Sequence, residues 1–204
     1  MVAIIADRSL ENRLRAERER TGADRYDEVW EGVYVMNPLP DNEHQRLMHR
    51  FEMVFGELFE RDGLGEVFPG VNLTDREDDW KSDFRGPDVA VFLKNTQAEN
   101  LVTHWRGPAD LLVEIVSRGD RTREKIAFYS RLGVRELFLV DRDPWSLEFY
   151  RWQQGQLLLV GQSTEIDSAM VGSSIVSAEF RLRPGTGRPS IQVTHPPTGR
   201  QWSL

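Results

Sequence analysis

DLLVEIVSRGDRTREKIAFY (residues 110–129) passes from an apolar run into a turn and then into a charged helix. A run such as LLVEIV fills a strand covered on both faces. Glu114 stands in its middle. By alternation it projects with Leu112 and Val116, while Leu111, Val113 and Ile115 point the other way. A carboxylate placed there is costly unless it is paired, and functional sites often accept that cost. Ser117-Arg118-Gly119-Asp120 then leads into a helix over about 120–132, which carries Arg121 and Lys125 on one face and stops at Gly133. A buried acid followed by bases on the next helix reads as a site and not only as a core.

Working outward, Gly86-Pro87-Asp88 opens the strand VAVFL, with the proline at a strand start, where its missing donor costs little. Asp88 is thereby placed at a strand end, facing the same way as Ala90 and Phe92. Downstream, residues 134–141 form the next strand, and Ser146–Trp152 with Gln156–Val160 form a hairpin over Gln153-Gln154-Gly155. Upstream, residues 66–74 read as short strands bent at Pro69-Gly70, 75–85 as an acid-rich solvated loop, and 94–108 as a polar connection. Asn42 is expected to cap a helix over about 43–61, with Gln45 at the capping-box position. Leu47, Phe51, Val54 and Leu58 make its apolar stripe, and His44 shares that face at the helix mouth. Tyr26 to Met36 (YDEVWEGVYVM) reads as a hairpin around Glu31-Gly32.

These elements describe an α/β (α+β) protein with a mixed central sheet flanked by helices. Residues 1–25 form a charged helical extension and 26–182 a single domain. Residues 183–204, rich in Pro, Gly and Arg, are expected to form a loosely ordered tail. The 204 residues, 39% hydrophobic and 29% charged, suit one globular domain. The absence of Cys excludes disulfides, thiolate metal sites and Cys nucleophiles. The first residues lack the basic start and long apolar core of a signal peptide, and no apolar run approaches the ~20 residues of a membrane span. A cytoplasmic location is expected. The net charge of -7 argues against a surface coated in positive charge, yet Arg118, Arg121, Arg123, Lys125, Arg131 and Arg135 crowd the segment after Glu114. Such a cluster could hold the phosphates of nucleic acid.

Asp88 and Glu114, on neighbouring strand ends in a chain without Cys and with few His, suit a hard cation such as Mg²⁺ or Mn²⁺. Such an ion polarises a phosphoryl oxygen and lowers the pKa of a bound water. Lys125 beside them would orient or deprotonate that water, or stabilise charge developing on phosphate. The set fits metal-dependent phosphodiester cleavage. Plainer readings stand beside it: Asp88 as a strand-end pair, Glu114 in an ion pair with Arg121 or Lys125, Ser117 as a cap, and Tyr129 as core. Asp88 and Glu114 could also be the acid and base of a glycosidase. A serine hydrolase is disfavoured, for want of both a nucleophile-elbow motif and a convincing His–Asp pair.

Pro-Asp, a buried Glu in an apolar strand, and then Lys resemble the PD-(D/E)XK nuclease superfamily. More closely, MNPLPDNEHQRL, GPDVAVFL, DLLVEIVSRGDRTREKIAFY and GVRELFLVDRDPWSLEFYR resemble its Uma-two-type, restriction-endonuclease-like branch, in that family's order and over roughly residues 26–152. The resemblance implies a restriction-endonuclease-like core that hydrolyses DNA with Asp88 and Glu114 holding Mg²⁺ or Mn²⁺. In the superfamily pattern a Lys often sits two residues after the second acid; here that position is Val116, and the resemblance moves the Lys role to Lys125. It also places His44 and Gln45 near the metal as auxiliary residues. Many relatives carry an acid after the Gly of the first hairpin, where this chain has Val33; Glu31 would substitute, or that acid is absent. The alternative function is a nuclease-fold protein with weak or no cleavage that acts by binding nucleic acid or protein. Apolar and aromatic strands near 134–160 offer a surface for a homodimer.

Overall fold

The apolar strands of the sequence assemble into one central sheet. The computed structural model describes residues 3–4 and 8–204. The sheet strands are β1 (Gly65–Pro69), β2 (Val89–Leu93), β3 (Leu111–Ile115), β4 (Glu136–Arg142), β5 (Trp145–Gln153) and β6 (Gln156–Thr164), and they lie side by side in that order. β3 and β4 run parallel, whereas every other neighbouring pair is antiparallel. Parallel neighbours need a crossover, and residues 116–135 supply it. Among the described residues the α-helices are α1 (Arg8–Thr21), α2 (Asn42–Phe55) and, within the crossover, α3 (Lys125–Leu132), and α2 and α3 pack on the two faces of the sheet.

The two faces of the sheet follow the alternation read from β3. Leu111, Val113 and Ile115 pack with Leu47, Phe51, Val54 and Phe55 of α2. Leu112 packs on the opposite face, with Ala90 and Phe92 of β2 and with Phe128 and Tyr129 of α3. Each such apolar side chain contributes about 1.5–3 kcal/mol when fully buried. Glu114 is therefore committed to the α3 side. α3 ends where Gly133 takes a left-handed conformation, φ 85°, as a glycine at that position allows.

Two expectations need correction. The N-cap of α2 is Asp41 and not Asn42: Asp41 is extended and its carboxylate accepts the His44 backbone N–H at 2.8 Å. Asn42 is instead the first helical residue. The larger correction concerns residues 183–204. Strands at Val171–Ser173, Ala178–Arg183, Ser190–His195 and Arg200–Ser203 form a four-stranded antiparallel sheet. Ile191, Val193 and Leu204 are buried in the same core as α2. The alternation in SIQVTH drives this, with Pro and Gly confined to the turns. Arg200 and the Trp202 indole N–H both reach Glu57, and Arg50 donates to the Ser203 carbonyl at 2.7 Å, tying the last strand to the α2 region.

At the other end, the hairpin Glu28–Trp30 and Val33–Met36 turns at Glu31-Gly32, where both residues have positive φ. Short strands at Leu73–Thr74, Glu99–Asn100 and Trp105–Arg106 add a small sheet within the connections. Among the described residues no helix is long and apolar enough to cross a membrane.

Candidate active site

The pairing of β2 with β3 brings the two acids together. Val89 lies opposite Val113 and Ala90 opposite Leu112, so one step further in register sets Asp88 opposite Glu114 at the strand ends. Asp88 is held from two sides. Its Oδ2 accepts the Ile115 N–H at 2.7 Å, and its Oδ1 lies 2.7 Å from His44 Nε2. The other ring nitrogen, Nδ1, lies 3.1 Å from the Ser117 hydroxyl. The N–H that Nε2 turns toward the carboxylate leaves Nδ1 as acceptor for that hydroxyl in the neutral ring.

The turn after β3 places the helix. Asp120 accepts the N–H groups of Ser117 (2.5 Å) and Thr122 (3.1 Å), closing the loop on both sides. Ser117 thus acts through its hydroxyl toward His44, and Asp120 braces the loop. A single 3₁₀ turn, Thr122–Glu124, feeds α3, so Lys125 enters at the first helical position. From there Lys125 Nζ lies 3.1 and 3.3 Å from the two Glu114 oxygens and 3.3 Å from the Gly86 carbonyl. One turn on, the Tyr129 hydroxyl donates to Glu114 Oε1 at 2.5 Å. Tyr129 is core, as its sequence context suggests, but its polar end belongs to the same cluster.

The third acid comes from the hairpin and is Glu28. Its Oε1 lies 2.7 Å from Lys125 Nζ and accepts the Gly86 N–H at 2.9 Å, while Oε2 accepts the Trp30 indole N–H at 2.5 Å. Glu31, the residue expected to substitute, sits at the hairpin tip with its side chain 73% exposed and faces Arg131 at 3.6 Å. A residue at a turn tip projects away from the sheet end, whereas Glu28, two residues into the strand alternation from Trp30, projects back to it. Sequence reading missed Glu28. The available signal was the pair Asp27-Glu28 at the start of the first hairpin, both of them buried. Asp27 is claimed by Arg18, by the Tyr34 hydroxyl and by the Asn37 N–H, which leaves Glu28 for the cleft.

Asp88, Glu114, Lys125, His44 and Glu28 line one cleft of about 290 Å³. Arg121 also lines it, bound to Glu124 and stacked 4.6 Å from the Trp30 ring. Gln45 does not; its amide donates to the Pro40 carbonyl at 2.8 Å and so braces the start of α2.

Burial dominates the electrostatics. It pushes the Glu114 carboxyl from 4.5 up to about 8, with Lys125 pulling the other way and the charges of Asp88 and Glu28 adding to the rise. For Lys125 burial works downward, but Glu114, Glu28 and Asp88 outweigh it and raise the ammonium above its ordinary value. Lys125 therefore stays protonated and is no proton acceptor at neutral pH. Tyr129 is raised too, by burial and then by Glu114.

Whether a divalent cation suits these residues follows from charge and donor type. Glu28, Asp88 and Glu114 bring three carboxyl groups to one ammonium, and all of their donors are hard oxygens, as Mg²⁺ and Mn²⁺ prefer once the buried Glu114 gives up its proton. Asp88 and Glu114 stand opposite each other in register, while Glu28 and Glu114 both meet Lys125. Among the described residues, no group of three or more His, Asp or Glu is gathered as a ready-made metal site. The donor chemistry fits, with protein ligation limited to two carboxylates.

The mixed α+β architecture matches a nuclease-like fold. Residues 12–182 match the Uma2 family, described as "Putative restriction endonuclease", and the chain belongs to that family. Among solved structures it is similar to a "putative nuclease belonging to DUF820" from Anabaena variabilis ATCC 29413, with TM-score 0.59 and 20% identity, covering 74% of this chain and 83% of the other. At that identity the likeness speaks for the fold. No curated protein matches the chain.

Proposed function

We propose that the protein is a metal-dependent endonuclease that hydrolyses DNA phosphodiester bonds at the Asp88–Glu114–Lys125 cleft. The observation that carries this reading is the convergence of two register-opposed carboxylates with a buried ammonium 3.1 Å from Glu114, within a chain of a nuclease-like family. Asp88 and Glu114 would hold Mg²⁺ or Mn²⁺, which when bound supplies charge stabilisation at phosphate and a more acidic water. Lys125, kept protonated by its neighbours, fixes the Glu114 carboxylate and places positive charge beside the phosphate. His44 and Ser117 orient Asp88, as groups behind a metal ligand do. Arg121 is braced by Glu124 at the cleft wall.

A second reading is a nuclease-fold protein that binds nucleic acid without cutting it. It is favoured by the closed set around Glu114, whose oxygens already meet Lys125 and Tyr129. The experiment is cleavage of supercoiled plasmid and of single-stranded circular DNA, with Mg²⁺ or Mn²⁺ against EDTA, by wild type, Asp88→Ala and Lys125→Ala. Cleavage by wild type alone supports the endonuclease. Cleavage that survives in both variants removes the site, and DNA binding without cleavage supports the binding module.

The homodimer is also proposed, across the open edge of β6, which is uncharged and exposes Leu158, Leu159 and Val160.

A further inference from the structure

The cleft's cations divide into two sets. Lys125 is taken by Glu28 and Glu114, and Arg121 by Glu124. Around the rim, Arg123 holds Glu148 and Asp141, and Arg142 holds Asp41. Arg25 and Arg118 also line the cleft, from two separate loops, and neither makes a hydrogen bond or ion pair among the described residues. Both are exposed, and Arg118 precedes Gly119, whose positive φ (74°) turns the loop. The lining also carries apolar surface, with Tyr26, Met48 and a Leu39 that is 72% exposed, alongside Asp41, which is held by Arg142, and Asp120, which is held by backbone N–H groups.

We infer that Arg25 and Arg118 hold the backbone phosphates of an unpaired strand, so that the cleft takes single-stranded nucleic acid, with bases resting on the apolar lining. This rests on the nuclease reading above and names its substrate class. The reacting groups lie deep: Glu114 is 2% and Lys125 8% exposed. A phosphate must therefore enter the cleft to reach them. A duplex backbone carries its paired strand with it, across grooves about 6 and 12 Å wide, and stops at the rim. A single strand can bend in, and its unstacked bases gain from apolar and aromatic contacts. Two uncompensated arginines are also too few for a surface that tracks a duplex, in a chain whose net charge is -7.

The test is fluorescence anisotropy of a labelled single-stranded oligonucleotide and of the same sequence as a duplex, in EDTA, over a range of salt. The expected result is single-strand binding at least about tenfold tighter than duplex binding, with log K falling against log salt at a slope of about -1.4 for two phosphate contacts. Arg25→Ala and Arg118→Ala each weaken binding about tenfold, and the double variant flattens the slope. The double Arg→Lys variant keeps the slope, which separates charge from damage to the fold. Equal or tighter duplex binding, an unchanged slope in the double Ala variant, or no binding of either probe overturns the inference. Divalent-dependent cutting of relaxed duplex together with equal or tighter duplex binding overturns this inference alone, leaving the nuclease reading in place. The absence of all cutting and all binding removes both.

Discussion

Replacing Glu114 with Gln removes a titrating group from a buried position, 2% exposed, while keeping shape and one acceptor. The amide oxygen can still accept from Tyr129 and face Lys125, and Lys125 keeps its 2.7 Å partner Glu28. The consequence follows from linkage. In the folded state burial raises Glu114 from 4.5 to about 8, so between those values the folded protein binds a proton that the unfolded chain has released. Stability from this group is full below about pH 4.5 and is lost as pH rises through about 8. At 1.36 kcal/mol per unit, the loss is at most on the order of 5 kcal/mol, comparable with the whole stability of a small domain. Gln does not titrate. The stability of Glu114→Gln minus that of wild type should therefore rise across that window and be level on either side of it. Urea denaturation in EDTA at closely spaced pH values measures this. A difference that is level throughout, or that falls with rising pH, would refute the account of Glu114 as a carboxylate forced into a dry site.

Further outcomes follow from other contacts. Truncation after Leu182 strips Ile191, Val193 and Leu204 from the core at about 1.5–3 kcal/mol each, so the shortened chain should lose its cooperative thermal transition. Gly133→Ala places a Cβ at φ 85° and should cost about 1–2 kcal/mol in chemical denaturation, with the α3 contacts to Glu114 retained. Asp27→Ala leaves Arg18 and the Tyr34 hydroxyl without their acceptor and should destabilise by about 2–3 kcal/mol, measured by the same method. If β6 carries a homodimer, Leu159→Lys on its open edge should yield a monomer by light scattering with unchanged far-UV circular dichroism.

Much of the architecture was legible because local pattern and tertiary demand agree. LLVEIV alternates so that its odd-numbered residues meet α2 and Leu112 meets α3, and the expected strand, helix and hairpin from 110 to 160 recur in the sheet. Glu114 and Lys125 could be linked because a strand end and the first turn of the helix that follows are close by connection alone. Glu28 was not legible for the opposite reason. Its place beside Lys125 depends on where the first hairpin docks, a contact across almost a hundred residues that no local period encodes. The tail was misjudged by composition: Pro, Gly and Arg in 183–204 suggested disorder, while Ile191, Val193 and Leu204 carried the packing. Asp41 took the cap from Asn42 because an extended residue after Pro40 presents its carboxylate to the first turn.

The central claim is that Asp88 and Glu114 together hold a divalent cation. Calorimetric titration of Mn²⁺ into metal-free protein tests it most directly. Wild type is expected to bind saturably, and Asp88→Asn to lose that binding while its unfolding transition shows the fold retained. Unchanged Mn²⁺ binding in Asp88→Asn, or no binding by wild type, would contradict the account.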